Sequence, residues 1–220
     1  MRDEDFELFI SEFGEATYRA DVPADAIKKW QGKLPEQLLK YWKDEGWCGY
    51  AKGLFWFVDP DDYDDLVDEW LEDTGLEQID AFHVIARTAF GDLYVCGERS
   101  GVSMTISCPI NAIFALPKDL KPKNKVDQDW SVRAFIGLSV SECDLKDESG
   151  RQLFEPALNK LGPLEPDEVY GFEPAIVMEG KMRLESLAKL KIEQHLTILR
   201  QLAPPKLPFS NLDIEKLLRP

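Results

Sequence analysis

Two histidines bound the acid–base and metal chemistry this chain could run. His83 opens a strand-like run and shares its alternation with Ile85 and Arg87. A histidine and an arginine on one sheet face can grip a carboxylate or another anion. Asp92 follows Gly91 between two strand-like runs, where it could serve as an acid. His83, Arg87 and Asp92 together are the material for a small hydrolase, but each has a plainer reading. Gly-Asp is ordinary hairpin-turn chemistry, and an internal ion pair or ring stacking suits His83 and Arg87. His195 lies beside the apolar stripe of a C-terminal helix and reads as packed or solvent-edge, since a ligand needs partners. The chain has no Walker A loop, no GxGxxG after a strand and no HExxH. Gly101-Val102-Ser103-Met104-Thr105 approaches a nucleophile elbow but lacks the second glycine and falls in a strand-like run. Cys48, Cys96, Cys108 and Cys143 form no CxxC and stand at no zinc-ligand spacing from a histidine. They read as reduced, buried thiols of a cytosolic protein. No metal, cofactor or enzymatic activity is expected.

What the sequence does concentrate is negative charge. The formal net charge is -15, and the first 104 residues carry 24 acidic against 10 basic side chains. Such a field disfavours nucleic acid, which needs a basic stripe, and favours a basic protein partner. The densest stretch is 61–73. There Tyr63, Leu66, Val67, Trp70 and Leu71 recur at helical spacing, and eight carboxylates occupy the other faces. Like charges one turn apart repel, a cost that a cationic partner would relieve. Asp61, Asp62, Asp65, Asp68, Glu69 and Glu72 are therefore the candidate partner-binding face, against a plain solvated face.

The elements that must position these residues follow from periodicity. Phe6, Phe9, Ile10 and Phe13 make one helical face, ended by Gly14; Pro23 and Pro35 start two more helices. Gly53–Val58 is an aromatic strand, and one of the rings among Trp42, Trp47, Tyr50, Phe55, Trp56 and Phe57 could stay exposed as an anchor. From Phe82 the period becomes two, giving antiparallel strands over 82–90, 93–98, 102–108 and 110–116. Residues 119–125, with Lys118, Lys121, Lys123 and Lys125 in or beside them, read as a solvated link. Beyond it the spacing predicts helices over 130–140, 153–161 and 184–202, with a short strand at 170–178, before a tail with one weak helical turn. The fold class is α+β: an N-terminal domain over 1–118 with helices and an antiparallel sheet, then a mainly helical domain over 126–203 and a tail over 204–220. No run approaches the about 18 apolar residues of a membrane span. The acidic start, without an apolar stretch behind it, argues against a secretory signal and for the cytoplasm.

The stretch FGEATYRADVPADAIKKWQGKLPEQLLKYWKDEGWCGYAKGLFWFVDP, continued by HVIARTAFGDLY, resembles the GAD-like domain family. RQLFEPALNKLGPLEPDEVYGFEPAI, with the helix ending EQHLTILRQL, resembles the helical C-terminal domain that accompanies it. The pairing is similar to bacterial immunity proteins that neutralise a DNase toxin of type VI secretion. In outline the first half also resembles the SUKH group: Leu-Pro then helix, aromatic strand, and a Gly-Asp hairpin. The resemblance implies a cytoplasmic protein, encoded beside its toxin, that binds and blocks it, and it supplies no catalytic motif. The alternatives are the small hydrolase above and an RNA-associated accessory module, which would need a basic groove.

Overall fold

A computed structural model describes residues 2–209 of the chain. Helix α1 (Glu4–Phe13) begins where Asp3 accepts from the Phe6 amide and ends at Gly14, whose φ of 77° suits a residue without Cβ. Its stripe of Phe6, Phe9 and Phe13 is buried, with Phe9 edge-on to Tyr50 at 4.9 Å and Phe13 5.5 Å from Phe55. Helices α2 (Ala24–Trp30) and α3 (Glu36–Glu45) follow, α3 burying Leu38, Leu39, Tyr41 and Trp42.

Six antiparallel strands form one sheet in sequence order: β1 (Gly49–Tyr50), β2 (Phe55–Phe57), β3 (Phe82–Thr88), β4 (Asp92–Gly97), β5 (Gly101–Ser107) and β6 (Ala112–Ala115). Alternation along β2 sends Phe55 and Phe57 to one side and Trp56 to the other. On the first side lie α1 and Phe135, 5.9 Å from Phe55 and 5.0 Å from Tyr94. On the second, Trp56 is stacked by Arg87 at 4.8 Å. The register of β3 against β4 slips between Val84 and Ala86. This bulge interrupts the strict alternation that placed His83, Ile85 and Arg87 on one face.

The acidic segment forms a shorter helix than its periodicity predicts. A 3-10 turn, Pro60–Tyr63, leads into α4 (Asp64–Leu71), and Glu72 is already extended. The helix stops before Glu72 and Asp73, so these carboxylates do not extend the unfavourable charge at its negative end. Leu66, Val67, Trp70 and Leu71 are buried, as the stripe requires.

The C-terminal part comprises α5 (Lys125–Phe135), α6 (Val140–Cys143), α7 (Phe154–Leu161), a hairpin of β7 (Glu168–Phe172) and β8 (Leu187–Lys191), and α8 (Ile192–Leu202). The helix expected over 130–140 lies instead at Lys125–Phe135, and the strand expected over 170–178 ends at Phe172, with Ile176–Met178 a 3-10 turn. Two further expectations change. The helix predicted over 184–202 begins only at Ile192; residues 187–191 pair along their whole length with β7 instead. The lysine-rich link is pinned: Lys123 donates to the Ser100 and Asp119 carbonyls, its backbone amide bonds to the Arg99 carbonyl, and Leu120 is buried. The two parts also share a core. The Trp70 indole donates to the Leu196 carbonyl at 3.2 Å, and α5 lies on β5 and α3. Past α8, Lys206 bridges to β6 beside Ala112. The weak helical turn expected in the tail lies largely outside the described residues.

Candidate partner-binding surface

The carboxylates around α4 are unequal. Asp62, Asp65, Asp68 and Glu72 are exposed. Asp61 is exposed too but forms an ion pair with Lys29. Glu69 is half-buried and tied to α8: its carboxylate accepts from Gln201 at 3.2 Å and its carbonyl from Arg200 at 3.0 Å. At the N-terminal end the acids crowd one another. Burial, with Asp61 and Asp62 adding to it, pushes Asp59 up to about 6. Burial first, then Asp61, raises Asp62. An added cation here would be favoured over an added anion.

Beside this face opens a cleft of about 640 Å³, lined among others by Asp64, Asp68, His83, Glu98 and Arg99. His83 Nε2 is 3.2 Å from Glu98, Nδ1 is 3.7 Å from Asp64, and the ring lies edge-on to Trp30 at 4.6 Å. The sequence reading did not gather Trp30, Asp64 and Glu98 around His83; they come from three separate elements.

His83, Arg87 and Asp92 do not converge on a common site. Arg87 is fully buried, donating to the Pro166 carbonyl at 2.7 Å and the Thr88 carbonyl at 3.2 Å. Burial lowers its pKa, countered by Tyr63 and Asp167. Asp92 lies at the start of β4, accepting from the Ser107 and Thr88 hydroxyls. Burial raises its pKa and those hydrogen bonds oppose the rise. The cleft beside His83 is lined by neither Arg87 nor Asp92, so the three residues weighed as a small hydrolase do not share it. His195 packs against Gly171 of the hairpin, and burial lowers its pKa. The four cysteines are buried and unpaired. Among the described residues no cluster of three His, Cys, Asp or Glu side chains could hold a metal, and no helix is long and apolar enough to cross a membrane. Of the six rings weighed as anchors none is exposed, Trp47 being half-buried; the exposed indole is Trp130.

Two family models match side by side: the GAD-like domain over residues 4–110, and the C-terminal domain of the type VI secretion immunity protein Tdi1 over residues 129–203. This chain belongs to the GAD-like immunity-protein family. The gap between the matches, 111–128, takes in β6, the pinned segment and the first turn of α5. The immunity protein's partner is a cognate toxin. The crystal structure of Atu4351 from Agrobacterium tumefaciens shares the fold, with a TM-score of 0.81 over 92% of this chain and 91% of that one, at 20% identity. No curated protein matches the chain.

Proposed function

We propose that this immunity protein is a non-catalytic inhibitor that binds a nuclease toxin, a DNase, in the cytoplasm of the cell that makes both. The observation that carries the reading is the solvent-open set of Asp62, Asp65, Asp68 and Glu72 beside Asp61 and Glu69, on a chain of net charge -15. A DNase must be basic where DNA lies. A rigid carboxylate face therefore complements the surface whose occupation stops its activity, and it speeds encounter by electrostatic steering. The helix under the face is fixed by its buried stripe, so the charges are presented without a backbone ordering cost on binding. Two divisions of the chain, 1–118 and 126–203, would then act as one binding body.

The test is the association rate of the toxin as a function of ionic strength, for wild type and an Asp62→Lys, Asp65→Lys, Asp68→Lys variant. The variant is expected to associate at least tenfold more slowly at low salt, with a flatter salt dependence and a nearly unchanged dissociation rate. Equal rates and equal salt slopes would take α4 out of the interface.

A further inference from the structure

The three most exposed large apolar side chains among the described residues are Leu8 at 68%, Val126 at 65% and Trp130 at 61%. All three belong to one pair of helices, α1 and α5. Val126, Trp130 and Arg133 follow each other at helical spacing and form a ridge about 10 Å long on α5. The Arg133 guanidinium lies 5.9 Å from the Trp130 ring centroid and bonds to Asp5 at 2.6 Å and to the Gln37 side chain at 2.6 Å. Asp5 stands one turn before Leu8 on α1, and Glu12, one turn after it, accepts from the Val140 amide at 3.0 Å. Leu8 is thus held between two fixed contacts to the α5–α6 segment and still points into water. A tryptophan beside an arginine on rigid helices, with apolar neighbours, is the composition of an interface hot spot.

The charges around the ridge select its partner. Glu4, Glu7 and Asp127 are exposed and form no ion pair among the described residues. Arg133 is held by Asp5, and Lys40 pairs with Asp3 at 3.7 Å, which leaves Lys125 as the exposed cation in the first turn of α5. An apolar ridge with a mainly acidic rim fits a segment that carries large apolar side chains flanked by lysine or arginine.

The geometry points to Trp130, with Leu8 and Val126, as the anchor that seats a cationic, apolar segment of the cognate toxin. This rests on the immunity reading and assigns complex lifetime to the α1–α5 surface, on the Phe55 side of the sheet. The acidic α4 region, which reaches Arg87 through Tyr63 on the other side, governs encounter. The probe is the nuclease domain of the cognate toxin. Trp130→Ala should raise the dissociation rate at least about tenfold while the association rate stays within about twofold. Leu8→Ala and Val126→Ala should act in the same direction but less. Acrylamide quenching provides a second measurement, because the other indoles are buried or half-buried. The quenchable fraction that Trp130→Phe removes from the free protein should be protected in the complex. Unchanged dissociation from Trp130→Ala, or an indole equally quenched in the complex, overturns the anchor while leaving the proposed function standing. A wild-type protein that does not bind the toxin overturns both.

Discussion

Arg87 carries a charge into the core without a carboxylate touching it. Its guanidinium is held by the Trp56 ring and by the Pro166 and Thr88 carbonyls. Arg87→Ala therefore removes a large buried volume and orphans two acceptors, and should cost about 3 kcal/mol in urea denaturation, with the m-value unchanged. Arg87→Met should recover the packing but not the carbonyl contacts, and fall between the two. Asp92 makes the opposite argument. Its folded pKa lies above the unfolded value of about 4, so the native state holds the proton more tightly. Its contribution to stability is fully present below that unfolded value and is lost as pH rises through the folded one. At neutral pH the half-buried carboxylate is a cost, eased by Ser107 and Thr88. Asp92→Asn should be neutral or stabilising at pH 7 and should flatten the decline above pH 4, measured as the urea midpoint against pH. A residue kept for hydrolysis would instead show itself only in activity. The sequence named Arg87 and Asp92 for their chemistry; their surroundings were hidden in it, because Arg87 is enclosed by Trp56, Tyr63 and Pro166 and Asp92 is held by Ser107 of the next strand.

At the scale of elements, local pattern and pairing compete. α1 and α4 were legible because each buries a complete stripe within a few turns. The β3–β4 and β4–β5 hairpins were legible because Gly91 and Gly101 have positive φ at their turns. The segment 187–191 was not: Leu184, Leu187 and Ala188 fit a helical stripe, yet 187–191 pair along their whole length with β7. The hairpin meets α8 most tightly at Gly171. A Cβ on Gly171 would lie 2.3 Å from His195 Nε2 and 2.8 Å from two ring carbons. Gly171→Ala should thus destabilise by about 1–3 kcal/mol. Adding His195→Ala should return part of that loss, a coupling read from a double-mutant cycle. Additive effects would mean that the clash is relieved by the backbone and that the hairpin is not fixed by the ring. Of the candidate surface, the acidic face was legible from composition along 61–73. The Trp130 ridge was not, because a tryptophan on an amphipathic helix reads as core until the sheet is seen to be covered by Val132 and Phe135 from the same helix.

For the whole molecule the question is whether the two family matches are two folding units. The 1–118 and 126–203 division follows the change of pattern, but the apolar core is continuous across it. Phe135 packs on Phe55 and Tyr94, Trp70 bonds to the backbone of α8, and the Tyr170 amide bonds to the Ala89 carbonyl at 2.8 Å. Removing 119–220 would uncover both faces of the sheet at once, and half a chain this size buries too little elsewhere to offset that. We expect one cooperative transition, with far-ultraviolet and near-ultraviolet circular dichroism melting together and the calorimetric and van't Hoff enthalpies equal. A fragment of residues 1–118 should lack near-ultraviolet signal and aggregate. Cleavage after Lys121, an exposed residue, should leave the halves associated in native buffer and release them only in denaturant. Two resolved transitions, or a soluble 1–118 fragment with its own cooperative melt, would make the parts independent. In that case Trp130 on α5 and the acids of α4 could move apart, and the separation of anchoring from steering would no longer follow from the fold.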